Sequence, residues 1–161
     1  MTCRPYASTD LHATRDVFRA AVTINASEHY TPDQIALWIT GADDVHAWQE
    51  MMERAALGLV VEDDGGVYAF ATLEPDGTVH MLMCHPRKAR TGAAGMLLDT
   101  LEAHARTQGF TALYTQASLG ARPVFERHGF HEVEARTVKG LRCFAMEKSL
   151  SAIAPSVPDS R

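Results

Sequence analysis

Apolar and polar positions alternate along this chain with two periods, and the change between them divides it. From Leu11 to Asn25 the spacing is helical, with Leu11, Phe18, Ala21, Val22 and Asn25 on one side and Arg15, Asp16 and Arg19 on another. That predicts a half-buried helix capped around Ser8 to Asp10, preceded by a short strand at Arg4-Pro5-Tyr6 and broken by Ser27 to Tyr30. A second helix starts with Thr31 as N-cap, Pro32 in its first turn and Gln34 placed to close a capping box, and Gly41 ends it. Asp43-Asp44 can cap a third, with Val45, Trp48, Met52 and Ala55 facing inward. From Leu57 the period falls to two. Leu57 to Glu62, Val67 to Glu74 and Val79 to Cys84 are strands separated by Asp63-Asp64-Gly65-Gly66 and Pro75-Asp76-Gly77, turns short enough to make neighbours antiparallel. A helix from Thr91 to about Gln108 buries Ala94, Leu97, Leu98, Leu101 and Ala105, exposes Asp99, Glu102 and Arg106, and stops at Gly109. Ala112 to Ala117, reached through that helix, should lie parallel to the strand ending at Cys84. A short helix from Ala121 to His128 and a hairpin of His131 to Lys139 with Leu141 to Lys148 complete one domain, residues 1–148; 149–161 read as a disordered Pro/Ser tail.

The passage from strand to helix at Val79 to Leu98 holds the most informative chemistry. Pro86 stops the strand, and the first helical turn, Thr91-Gly92-Ala93-Ala94-Gly95, carries nothing bulkier than threonine. Its unpaired N–H groups therefore stay approachable at the positive end of the helix dipole, with Arg87, Lys88 and Arg90 just before them. A small-residue helix start is more often plain close packing. The stretch lacks the Gly-Lys-Ser/Thr of a nucleotide-triphosphate loop and the Gly-x-Gly-x-x-Gly of a dinucleotide fold, which leaves a cradle for a diphosphate without Mg²⁺ chemistry.

Composition narrows the classes further. At 161 residues, 46% hydrophobic and 22% charged, the chain is long enough for one real core. It has no apolar run of membrane-spanning length and no signal-like segment over Met1 to Ala20, so a soluble cytoplasmic protein is expected, with no membrane partner. Cys3, Cys84 and Cys143 are odd in number and unrelated in spacing, which argues against disulfides or a cysteine metal site. The eight histidines offer no His-x-x-x-His pair on a helix, so no metal is expected. A formal charge of −5 makes nucleic acid a poor partner and an amine a natural one.

The run Ala89-Arg90-Thr91-Gly92-Ala93-Ala94 with Leu97-Leu98 resembles the acyl-CoA motif of the GCN5-related N-acetyltransferases (GNAT), Gln/Arg-x-x-Gly-x-Gly/Ala, although Ala89 holds the Gln/Arg position and Arg90 falls one residue late. At the family's spacing follow Ser118-Leu119-Gly120-Ala121 and Val124-Phe125-Glu126-Arg127-His128-Gly129-Phe130, similar to its Asn-x-x-Ala and Phe-Tyr-x-x-x-Gly-Phe segments. The order β-α-α-β-β-β-α-β-α-β-β over Arg4 to Lys148 agrees, and Ala26-Ser27-x-His29-Tyr30-Thr31-Pro32-x-Gln34 is similar to the YafP-like subgroup. The resemblance implies an α+β GNAT fold: a mixed, mostly antiparallel seven-stranded sheet flanked by helices, whose fourth and fifth strands splay apart. It also implies acetyl-CoA as cosubstrate, with its thioester arm on the backbone of Leu82, Met83 and Cys84. Its pyrophosphate would rest on the amides of Arg90, Thr91, Gly92, Ala93, Ala94 and Gly95, with Arg87, Lys88 or Arg90 near the phosphates, and Ser118 and Phe125 would also belong to the cofactor site. The acceptor, a small-molecule or peptide amine, would meet Asn25, His29, Tyr30 and Trp38. A homodimer is left open.

For chemistry, this reading expects direct attack of a primary amine on the thioester in a ternary complex. His80 is the candidate base: strand periodicity puts it on the face of Leu82 and Cys84, and imidazole, with an ordinary pKa of about 6.5, accepts a proton near neutrality. Glu74 and His29 are alternatives, and a strand histidine often only bonds across its sheet. The family's usual acid, a tyrosine, falls at Phe125, which cannot donate; Tyr114, Tyr30, ordered water or no donor remain. Cys84 reads as a small apolar strand residue rather than a nucleophile. The competing function is an acyl-CoA-binding sensor or interaction module on the same fold without turnover.

Overall fold

The computed structural model of the protein describes residues 1–150. One seven-stranded sheet has the order β1-β2-β3-β4-β5-β7-β6, where β1 is Thr2–Pro5, β2 Leu57–Asp63, β3 Gly66–Leu73, β4 Thr78–Cys84, β5 Ala112–Ser118, β6 His131–Val138 and β7 Leu141–Ser149. Only β4 and β5 are parallel; the other neighbours are antiparallel. This is the expected α+β architecture. The helices are α1 Leu11–Asn25, α2 Pro32–Ile39, α3 Val45–Arg54, α4 Ala93–Thr107 and α5 Arg122–Arg127. Three helices precede β2, one more than the order read from the resemblance; α3 is real and is capped by Asp44, whose carboxylate accepts from Ala47 N at 3.0 Å.

Alternation along the strands builds two cores, one on each face of the sheet. Leu59, Val61, Ala69 and Ala71 meet Leu97, Leu98, Leu101 and Ala105 of α4, with Phe125 and Phe130 beside them. Val60 and Phe70 point the other way, onto Phe18 and Val22 of α1 and onto Trp48 and Met52 of α3. Trp48 is edge-on to Phe70 at 5.9 Å and donates its indole N–H to Thr14 Oγ1 at 3.0 Å, so the one polar atom that α3 brings into this core is satisfied.

Several boundaries move for local reasons. The first strand is Thr2–Pro5 rather than Arg4 to Tyr6, with Pro5 tolerated because β1 is an edge strand. Helix α4 begins at Ala93, not Thr91, because Gly92 is its N-cap at φ 87°. That shift buries Ala93 and leaves Ala94 half-buried. Glu102 and Arg106, expected to be exposed, are half-buried because Glu102 pairs with both Arg106 and Lys148. Ser149 and Leu150, expected in the tail, belong to the fold: Ser149 closes β7, and Leu150 is buried with its N–H on Thr111 O at 2.8 Å; the rest of that expected tail, 151–161, lies outside the described residues. Among the described residues no helix is long and apolar enough to cross a membrane.

Candidate functional site

Strands β4 and β5 pair only at Thr78 with Tyr114 and Val79 with Thr115, then diverge. The hydrogen-bond register says what faces the gap. His85 N donates to Tyr68 O at 2.7 Å, and antiparallel pairs alternate between bonded and unbonded positions, so Met83 and Met81 turn their backbone groups toward β3. Leu82 and Cys84 turn theirs away, into the gap. Leu150 N on Thr111 O fixes the same alternation on β5, where Gln116 and Ser118 look into the gap from the other side. Two strand edges thus stand open in the middle of a sheet, where unpaired amides and carbonyls are costly unless something bonds them. Of the three residues expected to offer backbone there, Met83 does not: its groups belong to the β3 ladder.

Beyond the end of β4 lies the cradle. Pro86 to Lys88 make one tight turn, Arg90 takes φ 64°, and Gly92 at φ 87° lets the chain enter α4 with nothing within 4 Å of where its Cβ would be. No side chain caps α4, so its first-turn amides are left without a side-chain acceptor. Gly95 is small for a different reason: a Cβ there would stand 3.1 Å from the imidazole of His128 at the end of α5. The three basic residues divide. Lys88 donates to Asp63 at 2.7 Å and lies 5.5 Å over the Tyr68 ring, so it ties the turn to the β2–β3 connection rather than pointing at an anion. The same ion pair holds the Asp63 carboxyl below and the Lys88 amine above their ordinary pKa values. Arg87 and Arg90 are exposed, and neither guanidinium has a partner among the described residues. This turn-plus-helix start fits a diphosphate.

Cys84 is half-buried, its thiol lies 3.5 Å from Lys88 O, and burial pushes its pKa up, so the neutral thiol is favoured. Ser118 Oγ accepts from Ala121 N at 3.2 Å and shapes the β5–α5 connection. Phe125 is 3% exposed and packs edge-on against Phe130 at 5.0 Å, inside the core on the α4 side.

His80 departs from the strand periodicity. The pairing of β3 with β4 slips between Thr72 and Leu73, which face Met81 and Val79, so His80 is the extra residue of a bulge. Val79, Leu82 and Cys84 share the α4 side, Met81 and Met83 the other. The exposed His80 is therefore not on the face of Leu82 and Cys84; it lines an open groove of about 540 Å³ with Met51, Arg54, Glu74, Pro75, Asp76 and Thr78. It is also the first β4 residue beyond the last pair with β5. Tyr114, 42% exposed, sits at that closed end, its ring 3.6 Å from where a Cβ of Gly77 would be.

Tyr30 is committed elsewhere. Its hydroxyl donates to Arg142 O at 2.6 Å and accepts from Leu119 N at 3.0 Å, and burial pushes its pKa up. It clamps the α1–α2 connection to β7 and the β5–α5 loop, which removes it as a free proton donor. Trp38 packs edge-on against it at 5.4 Å. Asn25 and His29 are exposed and approach Gly120, with a Cβ there 3.6 Å from the His29 ring. Arg54 and Gln116 were not singled out by the sequence: nothing in the pattern of an exposed helix end or strand face marks them, and only the tertiary fold brings them to the groove and the gap. Among the described residues no group of three or more His, Cys, Asp or Glu side chains is arranged to hold a metal ion.

Comparison with known proteins places this geometry. The profile of the acetyltransferase (GNAT) domain matches residues 26–150. Over 136 residues, covering 84% of this chain and 85% of the relative, the sequence is 30% identical to the uncharacterized N-acetyltransferase YafP of Escherichia coli (strain K12). A GCN5-related N-acetyltransferase from Rhodopseudomonas palustris superposes with a TM-score of 0.89 at 28% identity, over 92% of this chain and 95% of the other. The PaiA N-acetyltransferase of Thermoplasma acidophilum, solved in complex with coenzyme A, superposes at 0.77 with 18% identity over 92% and 98% of the chains, a likeness of fold.

Proposed function

The chain belongs to the GNAT acetyltransferases, in a YafP-like relation, and on that premise we propose that it transfers the acetyl group of acetyl-CoA to a primary amine by direct attack in a ternary complex. The observation that carries this reading is the fork: an open β4 edge at Leu82 and Cys84 that leads to an uncapped α4 start with two unpartnered arginines beside it. Acetyl-CoA supplies the activated acyl group. The amides of Ala93, Ala94 and Gly95 with Arg87 and Arg90 hold its diphosphate, and the amides of Leu82 and Cys84 align the thioester arm and polarise its carbonyl. Lys88 keeps the turn in place.

In the transfer step a C–N bond forms as the C–S bond breaks. The proton leaving the amine goes to His80, directly or through one water, and the departing thiolate takes its proton from Tyr114 or solvent. Cys84 stays a thiol throughout, because its raised pKa works against a thiolate nucleophile. The three free cysteines suit a reducing cytoplasm.

A second reading, an acyl-CoA-binding module without turnover, draws on Phe125, which leaves the family's acid position without a donor. One experiment separates them: free CoA thiol is followed with a broad amine panel, and the protein is analysed by mass after incubation with acetyl-CoA alone. Acetyl transfer predicts CoA release that depends on the amine, with no acetyl group on Cys84. Cofactor binding without release across the panel would support the module, and an acetylated Cys84 would replace the ternary complex with a covalent route.

A further inference from the structure

The groove at the apex of the fork is lined by chemically opposed groups that leave one another unpaired. Arg54 comes from the end of α3, Glu74 and Asp76 from the β3–β4 connection, and His80 from the bulge of β4. Asp76 is occupied: its carboxylate accepts from Thr78 N at 2.9 Å, which holds its pKa below the ordinary value. The Arg54 guanidinium, the Glu74 carboxylate and the His80 imidazole have no hydrogen bond or ion pair among the described residues, although all three line one groove. A guanidinium, a carboxylate and an imidazole held apart around about 540 Å³ present a charge pattern complementary to a molecule that carries both a carboxylate and an ammonium, and the volume lies in the ordinary range for small ligands.

The bulge makes the placement specific. Without the extra residue, alternation would put His80 among the α4-side core residues; with it, His80 turns onto the α3 face while remaining the first residue past the last β4–β5 pair. His80 is therefore the side chain common to the groove and to the open strand edges.

We propose that this groove is the acceptor site and that its ligand is an amino-carboxylate of the free amino-acid type. Arg54 takes the carboxylate, Glu74 holds the ammonium, and His80 stands at the end of the groove where that nitrogen loses its proton and faces the thioester. This rests on the acetyl-transfer reading for the reaction but not for the binding. The free-acid form is favoured over its carboxamide because Arg54 bonds the carboxylate in forked geometry, which a neutral amide cannot accept equally.

The test compares a pool of the standard amino acids with the matching pool of their carboxamides in two readouts. With acetyl-CoA, CoA release should favour the acids by about 10-fold or more in kcat/KM, the size expected for a charged hydrogen bond, and that preference should collapse in Arg54→Gln. With the protein saturated by CoA and no turnover, the imidazole NMR signals of His80 should shift on adding acids and not carboxamides, again only while Arg54 is present; the amide spectrum of Arg54→Gln reports that it is folded. Acids that shift His80 while neither they nor any amine of the broad panel releases CoA would uphold the groove as a binding site and sink acetyl transfer. Carboxamides or simple alkylamines that react as well as the acids, an acid preference that survives in Arg54→Gln, or acids that neither react nor shift His80 would overturn the groove proposal.

Discussion

His80 owes its position to a register slip of one residue, and that makes it the most testable single side chain. It is exposed, free of partners among the described residues, and adjacent to the fork. His80→Ala should lower kcat/KM by about 10²-fold, the usual size of a general-base contribution, while CoA still binds. An unchanged kcat/KM would take His80 out of the mechanism and make Glu74, in the same groove, the next base to test ahead of His29. Tyr30 illustrates the opposite case. A tyrosine that looked available is a clamp, with its donor spent on Arg142 O and its acceptor on Leu119 N. Lys88 is similar: its neighbours in sequence suggested phosphate, but Asp63 claims it.

At the scale of elements, the start of α4 is shaped by a single torsion. Gly92 at φ 87° turns the chain so that the first amides project free of side chains, and any residue with a Cβ is strained there. Charge and strain can be separated, because asparagine tolerates left-handed backbone better than other residues. Gly92→Asn should keep most acetyl-CoA affinity, whereas Gly92→Glu, which sets a carboxylate against the diphosphate, should abolish it in calorimetry. Equal binding by both folded variants and the wild type would move the phosphate site elsewhere. The β4 strand is the companion element. Its edge is open because β5 is paired to it for only two residues.

For the whole molecule, the legible part of the sequence was its periodicity. Turns such as Asp63-Asp64-Gly65-Gly66 and Pro75-Asp76-Gly77, the Thr31 capping box and the apolar stripe of α4 gave the order and type of the elements, because each is a local preference written in adjacent residues. The small-residue start of α4 was legible for the same reason. What escaped was set between distant segments. The bulge at His80 depends on how Thr72 and Leu73 pair, the ion pair of Lys88 on where the β2–β3 connection lies, and the burial of Phe125 on Phe130 and α4. The groove of Arg54, Glu74 and His80 joins three segments that no spacing rule connects.

In the proposed site β4 keeps an open edge at Leu82 and Cys84 for the thioester arm, and residue-resolved amide hydrogen exchange measures it. In the free protein Met81 and Met83, bonded to β3, should exchange slowly, and Leu82 and Cys84 quickly. Saturating acetyl-CoA should slow Leu82 and Cys84 and leave Met81 and Met83 almost unchanged. If Leu82 and Cys84 exchange as fast with bound acetyl-CoA as without it, the thioester arm does not lie on this edge and acetyl-CoA is held elsewhere.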